Sequence, residues 1–95
     1  MRNSVMTFEH HEGTTWEVRF GEFAGEEATI LADSLVTLTE QTKAKHVVVQ
    51  GWSDEIKAVV DHLIGQGFVF AESKDGAGEV IQRTVYKKRT AEEEL

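Results

Sequence analysis

The chain has no cysteine and no proline among its 95 residues. Without thiols it forms no disulfide, thiolate metal site, iron-sulfur cluster or cysteine nucleophile. That sets aside the small secreted folds held by cross-links and fits a reducing, cytoplasmic setting. Without proline, element ends have to be found from glycine, capping residues and changes of period. There is no apolar run of about 18 or more residues, and residues 1–8 hold one basic side chain and no sustained apolar stretch. Neither a membrane span nor a signal peptide is expected. Basic residues are scarce as well: 10 Lys and Arg stand against 17 Asp and Glu, a formal net charge of -7. Such a field disfavours nucleic acid and anionic lipid, keeps the chain in solution and favours a basic partner.

What is present suffices for one hydrophobic core. Apolar residues make up 40% of the chain. A chain of this length buries only about two-thirds of the surface its unfolded form exposes, so pairing with a second copy would add useful stability. Residues 1–89 are read as a single domain and 90–95 as a frayed acidic tail.

Over residues 5–20 the apolar positions alternate: Met6, Phe8, then Trp16, Val18, Phe20 with Glu17 and Arg19 between them. This is the period of half-buried strands, and it predicts a hairpin with Glu12, Gly13 and Thr14 as its loop. In that register Phe8 faces Val18, Met6 faces Phe20 and His10 faces Trp16. Over residues 25–43 the spacing changes, and Ala28, Leu31, Leu35, Leu38 and Thr42 fall on one helical face. Glu26 and Glu27 lie at its start and Lys43 and Lys45 at its end, where the helix dipole prefers each sign. Ile30 and Val36 lie off the stripe and either widen the buried face or touch a neighbouring chain.

The run Val47, Val48, Val49 predicts an interior strand over 46–50, covered on both sides or lying in a dimer contact. Ser53 is a good N-cap for a second helix, with Asp54 and Glu55 in its first turn and Ile56, Val59, Val60, Leu63 and Ile64 on its buried face. Gly65 or Gly67 ends it. Residues 68–73 and 79–88 read as two strands of a hairpin joined by a glycine-rich turn. The order is ββαβαββ: an α+β fold with a mostly antiparallel sheet, one parallel crossover and two amphipathic helices, set in two layers or with helices on both faces.

This order is similar to the C-terminal half of the GNAT acetyltransferase superfamily, and Gly67-Phe68 after an amphipathic helix matches that family's helix ending in Gly-Phe. The resemblance implies an acyl-CoA site at a glycine-rich turn opening the helix after the cofactor-binding strand, where bare N–H groups meet the pyrophosphate. The matching stretch is Gly25, Glu26, Glu27, Ala28, Thr29. Only Gly25 agrees, and Glu27 and Thr29 replace the alternate glycines. Two like charges a few ångströms apart repel by roughly 1 kcal/mol in water and several times more when partly buried. Leu63 stands where the family often places a tyrosine acid. If the chain is of this kind, it is expected to have lost the cofactor.

Among residues that carry chemistry, His10, His11 and Glu12 invite a metal. Neighbours on a strand point to opposite faces, so at best His10 joins Glu12 or a distant His46 or His62. No metal is assigned, and His10 is expected to pack on Trp16. Arg83, Lys87 and Arg89 fall on one face of the last strand, with Lys88 on the other, and form a candidate basic patch for phosphate or nucleic acid. Glu92, Glu93 and Glu94 follow at once, and an edge strand decorated with charge explains the cluster as well.

The preferred binding surface is Glu22 and Phe23 after the second strand with Trp52, Ser53 and Asp54 after the third. Loops following parallel strands meet at one sheet edge, where open sheets bind ligands. Trp52 is either an interaction anchor or a plug over the helix start. No Gly-x-Ser-x-Gly, Walker, dinucleotide or metalloprotease motif is present. The expectation is a small acidic, cytoplasmic, non-catalytic protein-binding or regulatory domain. It needs no cofactor, and its partner is another protein or a second copy of itself, with nucleic acid and membrane disfavoured. The alternative is an acyl-CoA-dependent acyltransferase or small-ligand-binding domain using the strand-end cleft.

Overall fold

A computed structural model of the chain describes residues 5–87. The expected tail 90–95, Lys88 and Arg89 lie outside the described residues. The elements run β1 (Met6–Glu12), β2 (Thr15–Phe20), a short 3-10 turn (Gly25–Glu27), α1 (Ala28–Thr42), β3 (His46–Gln50), α2 (Asp54–Gly65), β4 (Phe68–Lys74) and β5 (Val80–Lys87). The five strands form one sheet in the order β1-β2-β3-β5-β4, antiparallel except for the parallel pair β2–β3.

The first hairpin has the register that alternation demands: Phe8 opposite Val18, Met6 opposite Phe20 and His10 opposite Trp16. Its turn differs from the expected three-residue loop. Glu12 pairs with Thr15, leaving Gly13 and Thr14 as the turn and a register shift between His10 and Glu12. Gly13 takes φ 55°, a left-handed conformation open to glycine at little cost. The extra residue at His11 is absorbed as a bulge, so the apolar side chains keep one face.

Directly opposed residues share a face, which divides the sheet cleanly. One face carries Val18, Val47, Val49, Val85 and Phe68, all buried. Against it lie Leu31 and Leu35 of α1 and Ile56, Val59, Val60 and Leu63 of α2. Both crossovers step in the same direction across the sheet, and right-handed crossovers then set both helices on one side. The helices touch each other there, with Thr29 Oγ1 2.9 Å from His62 Nε2 and Gln66 Nε2 donating to Asp33 Oδ1 at 3.1 Å. The described residues therefore form two layers, and they cover only one face of the sheet.

This settles the fate of the valine run. Val47 and Val49 are buried under the chain's own helices, whereas Val48 is half-buried on the uncovered face. Three further expectations change. The α1 stripe is Ala28, Leu31, Ala32, Leu35 and Thr39, with Leu38 and Thr42 only half-buried. Ile64 is 47% exposed rather than buried, because the Val59–Leu63 side of α2 faces the sheet. Finally, β5 is no edge: it lies between β3 and β4, so its backbone pairs on both sides. Of the two off-stripe residues, Val36 packs against the core and Ile30 is 66% exposed.

Caps follow the sequence closely. Ser53 Oγ accepts the Ile56 N–H at 3.1 Å to start α2, and Gly67, at φ 98°, turns the chain into β4. Lys43 closes α1 in the left-handed region at φ 59°. In the β4–β5 turn, Asp75 Oδ1 accepts the N–H groups of Ala77 and Glu79.

Leu35 and Leu63 are 1% and 0% exposed. Truncating either to alanine is expected to cost about 2 to 5 kcal/mol in urea unfolding. A loss of the size seen at exposed positions would mean that the helix faces are assigned wrongly.

Candidate functional site

Because β2 and β3 run parallel, the loops that leave them emerge at the same end of the sheet. Gly21, Glu22 and Phe23 follow β2, and Ser53, Glu55 and Ile56 follow β3. Together with Phe20 they line an open cleft of about 720 Å³. Three of the five residues expected at this surface, Glu22, Phe23 and Ser53, are therefore brought together. Phe20, Glu55 and Ile56 complete the lining and were not anticipated. The signal for them was modest: an aromatic at a strand end before glycine, and the first turn of a well-capped helix.

Phe20, Phe23 and Ile56 are the apolar part of the lining. Phe20 and Phe23 meet with ring centroids 5.7 Å apart and planes tilted by 48°. Ile56 lies beside them. Glu22 and Glu55 add two exposed carboxylates, and no Lys, Arg or His is among the lining residues. The Ser53 hydroxyl already serves as the helix cap. The cleft thus offers aromatic faces and hydrogen-bond acceptors, a combination suited to a cation on an apolar stem and hostile to a phosphate.

Trp52 and Asp54 stand apart from this lining. The Trp52 indole stacks on Phe70, centroids 5.4 Å apart and planes within 17°, and the Arg83 guanidinium lies 4.5 Å from the indole centroid. Arg83 Nε in turn donates to Glu72 Oε2 at 3.0 Å. Trp52 therefore closes the gap between the start of α2 and the β4–β5 hairpin, while remaining 36% exposed.

The same contacts break up the candidate basic patch. Arg83 is engaged by Glu72 and Trp52, and Lys87 is exposed four residues further along β5, about 13 Å away. At the far end of the first hairpin, His10 makes an edge contact with Trp16, centroids 5.3 Å apart, and its Nε2 lies 2.9 Å from the Gly13 carbonyl oxygen. Among the described residues no group of three or more His, Cys, Asp or Glu is placed to hold a metal.

On the uncovered face, Arg19 donates to Glu17 Oε1 at 2.8 Å. That hydrogen bond holds the Glu17 carboxyl below the ordinary glutamate range, against partial desolvation, with the Arg19 charge, Gln50 and His11 adding to the effect. Comparison with known proteins returned no matching family model, and no significant match among curated proteins or solved structures.

Two measurements check these contacts. Trp52→Ala is expected to cost about 1 to 2.5 kcal/mol, the worth of one aromatic pair plus one cation–π contact, with the fold retained. A neutral result would return Trp52 to the role of a free anchor. For Glu17 the folded pKa is depressed. Its contribution to stability is present above the ordinary glutamate pKa and fades as the pH falls through its own lower value. An NMR titration should place Glu17 below the ordinary glutamate value and return it towards that value in Arg19→Ala; an unchanged midpoint would contradict the assignment.

Proposed function

We propose that the protein is a small acidic, non-catalytic binding domain that uses its strand-end cleft to take a basic segment of another protein. The observation that carries this reading is the pairing of Phe20, Phe23 and Ile56 with the carboxylates of Glu22 and Glu55 in one open cleft. A lysine or arginine side chain would lay its methylenes on the rings and bring its charge to the carboxylates. The net charge of -7 supports the same choice, since it steers cations towards the molecule.

The alternative is an acyl-CoA-dependent acyltransferase or small-ligand domain, and the volume of the cleft favours it in general terms. Its chemistry fits less well. At the turn where the GNAT resemblance would seat a pyrophosphate, Glu27 Oε1 already accepts the Ala24 N–H at 3.2 Å. A phosphate arriving there would meet a carboxylate in place of a free donor.

The test is an NMR titration of the full chain with a short lysine- and arginine-rich peptide and, separately, with acetyl-CoA. The peptide should shift Gly21, Glu22 and Phe23 together with Ser53, Glu55 and Ile56. Glu22→Lys combined with Glu55→Lys should weaken binding by at least about tenfold, equivalent to about 1.4 kcal/mol. Peptide shifts that ignore the cleft would contradict the reading, and micromolar binding of acetyl-CoA at the same residues would favour the alternative.

A further inference from the structure

The face of the sheet that the helices leave open has an uneven distribution of charge. On β1 and β2 it presents Glu9, Glu17 and Arg19. On β3, β5 and β4 it presents Val48, Thr84, Tyr86, Val69 and Ala71, flanked by His46, Gln50, Gln82 and Ser73. Among the described residues, this three-strand section carries no Lys, Arg, Asp or Glu on that face, in a chain that is 28% charged. Val48, Val69, Thr84 and Tyr86 are each half-buried. Depletion of charge with β-branched and aromatic residues at the centre is the composition of an interface core.

We infer that this face pairs with the same face of a second copy of the chain. Two copies each carrying -7 repel, and the uncharged section is where they approach with the least repulsion. The strand order helps, because β3 is the middle of the five. A two-fold axis along β3 lays β1 of one copy over β4 of the other, and β2 over β5. Glu17 and Arg19 then meet Thr84 and Gln82, and Glu9 meets Ala71, rather than their own like charges. The Glu17–Arg19 pair, already joined at 2.8 Å, enters as a neutral unit. Sheets stacked this way pack face to face at about 10 Å with their strands within about 30° of alignment.

The size of the face sets the strength. Five strands about 4.8 Å apart and about 20 Å long give a face near 480 Å², so two copies would bury about 1,000 Å², the lower limit for a specific interface. The pairing is accordingly reversible and dependent on concentration. It is separate from the cleft, which opens at the strand ends, so either reading can fail without the other.

Sedimentation equilibrium on the full chain tests it. The expected result is a monomer–dimer equilibrium below about 100 µM, with Val48→Lys and Ala71→Glu each moving it at least about tenfold towards monomer. Ile30→Lys, on the exposed side of α1, should leave it unchanged, and far-ultraviolet circular dichroism should be the same for all forms. Ala71 is exposed at an outer strand, so its variant decides the matter even if Val48→Lys fails to fold. A chain that stays monomeric to about 100 µM, or an Ala71→Glu form that pairs as tightly as the parent, would overturn the inference.

Discussion

The structure depends on one row of side chains between sheet and helices. Val18, Val49, Val47, Val85 and Phe68 cross four neighbouring strands on a single face, and Leu31, Leu35, Val59 and Leu63 press on them from two adjacent helices. Each fully buried aliphatic or aromatic side chain contributes about 1.5 to 3 kcal/mol by leaving water. In a chain this short few other sources of stability exist. The row fixes the register of every strand that contributes to it, because a slip of one residue would turn its apolar set outwards. It also fixes the placement of β5, whose Val85 stands opposite both Val47 and Phe70.

From this one-sided burial follow the two surfaces of interest. Both helices begin beyond the same end of the sheet, and the connection from β2 to α1 is longer than that from β3 to α2. The longer connection brings Phe23 back against Phe20 and leaves an open cleft beside the first turn of α2. The shorter one carries Trp52 onto Phe70 and Arg83, closing the other flank of the helix start. Meanwhile no described element covers the opposite face of the sheet. Among the described residues that face carries Glu9 and the Glu17–Arg19 pair on β1–β2 and no Lys, Arg, Asp or Glu on the other three strands.

Much of this was legible in the residues because the signals were local. The alternation around Phe8 and Val18 sets the hairpin register, Ser53 sets the start of α2, and Gly67 sets its exit. The bulge at His11 was not legible, since apolar parity is the same whether the extra residue sits in the loop or the strand. Nor was the interior position of β5, which depends on pairing with β3 more than thirty residues earlier and leaves no mark on its own sequence. The engagement of Arg83 by Glu72 and Trp52 is hidden for the same reason, so a row of basic residues read from periodicity overstated the free charge on that strand. At the cleft, the loops were found from the parallel crossover. The aromatic lining was found only in part, because Phe20 reads as an ordinary strand residue until Phe23 folds back upon it.

The most direct measurement of one-sided burial is the attenuation of side-chain NMR signals by a soluble paramagnetic probe, followed over a dilution series. The account predicts that Val47, Val49, Val85, Leu35 and Leu63 are shielded at every concentration, while Val48 and Val69 are reached by the probe once the protein is dilute. Equal shielding of Val48 and Val47 at the lowest concentration, or ready attenuation of Leu35 or Leu63, would contradict it.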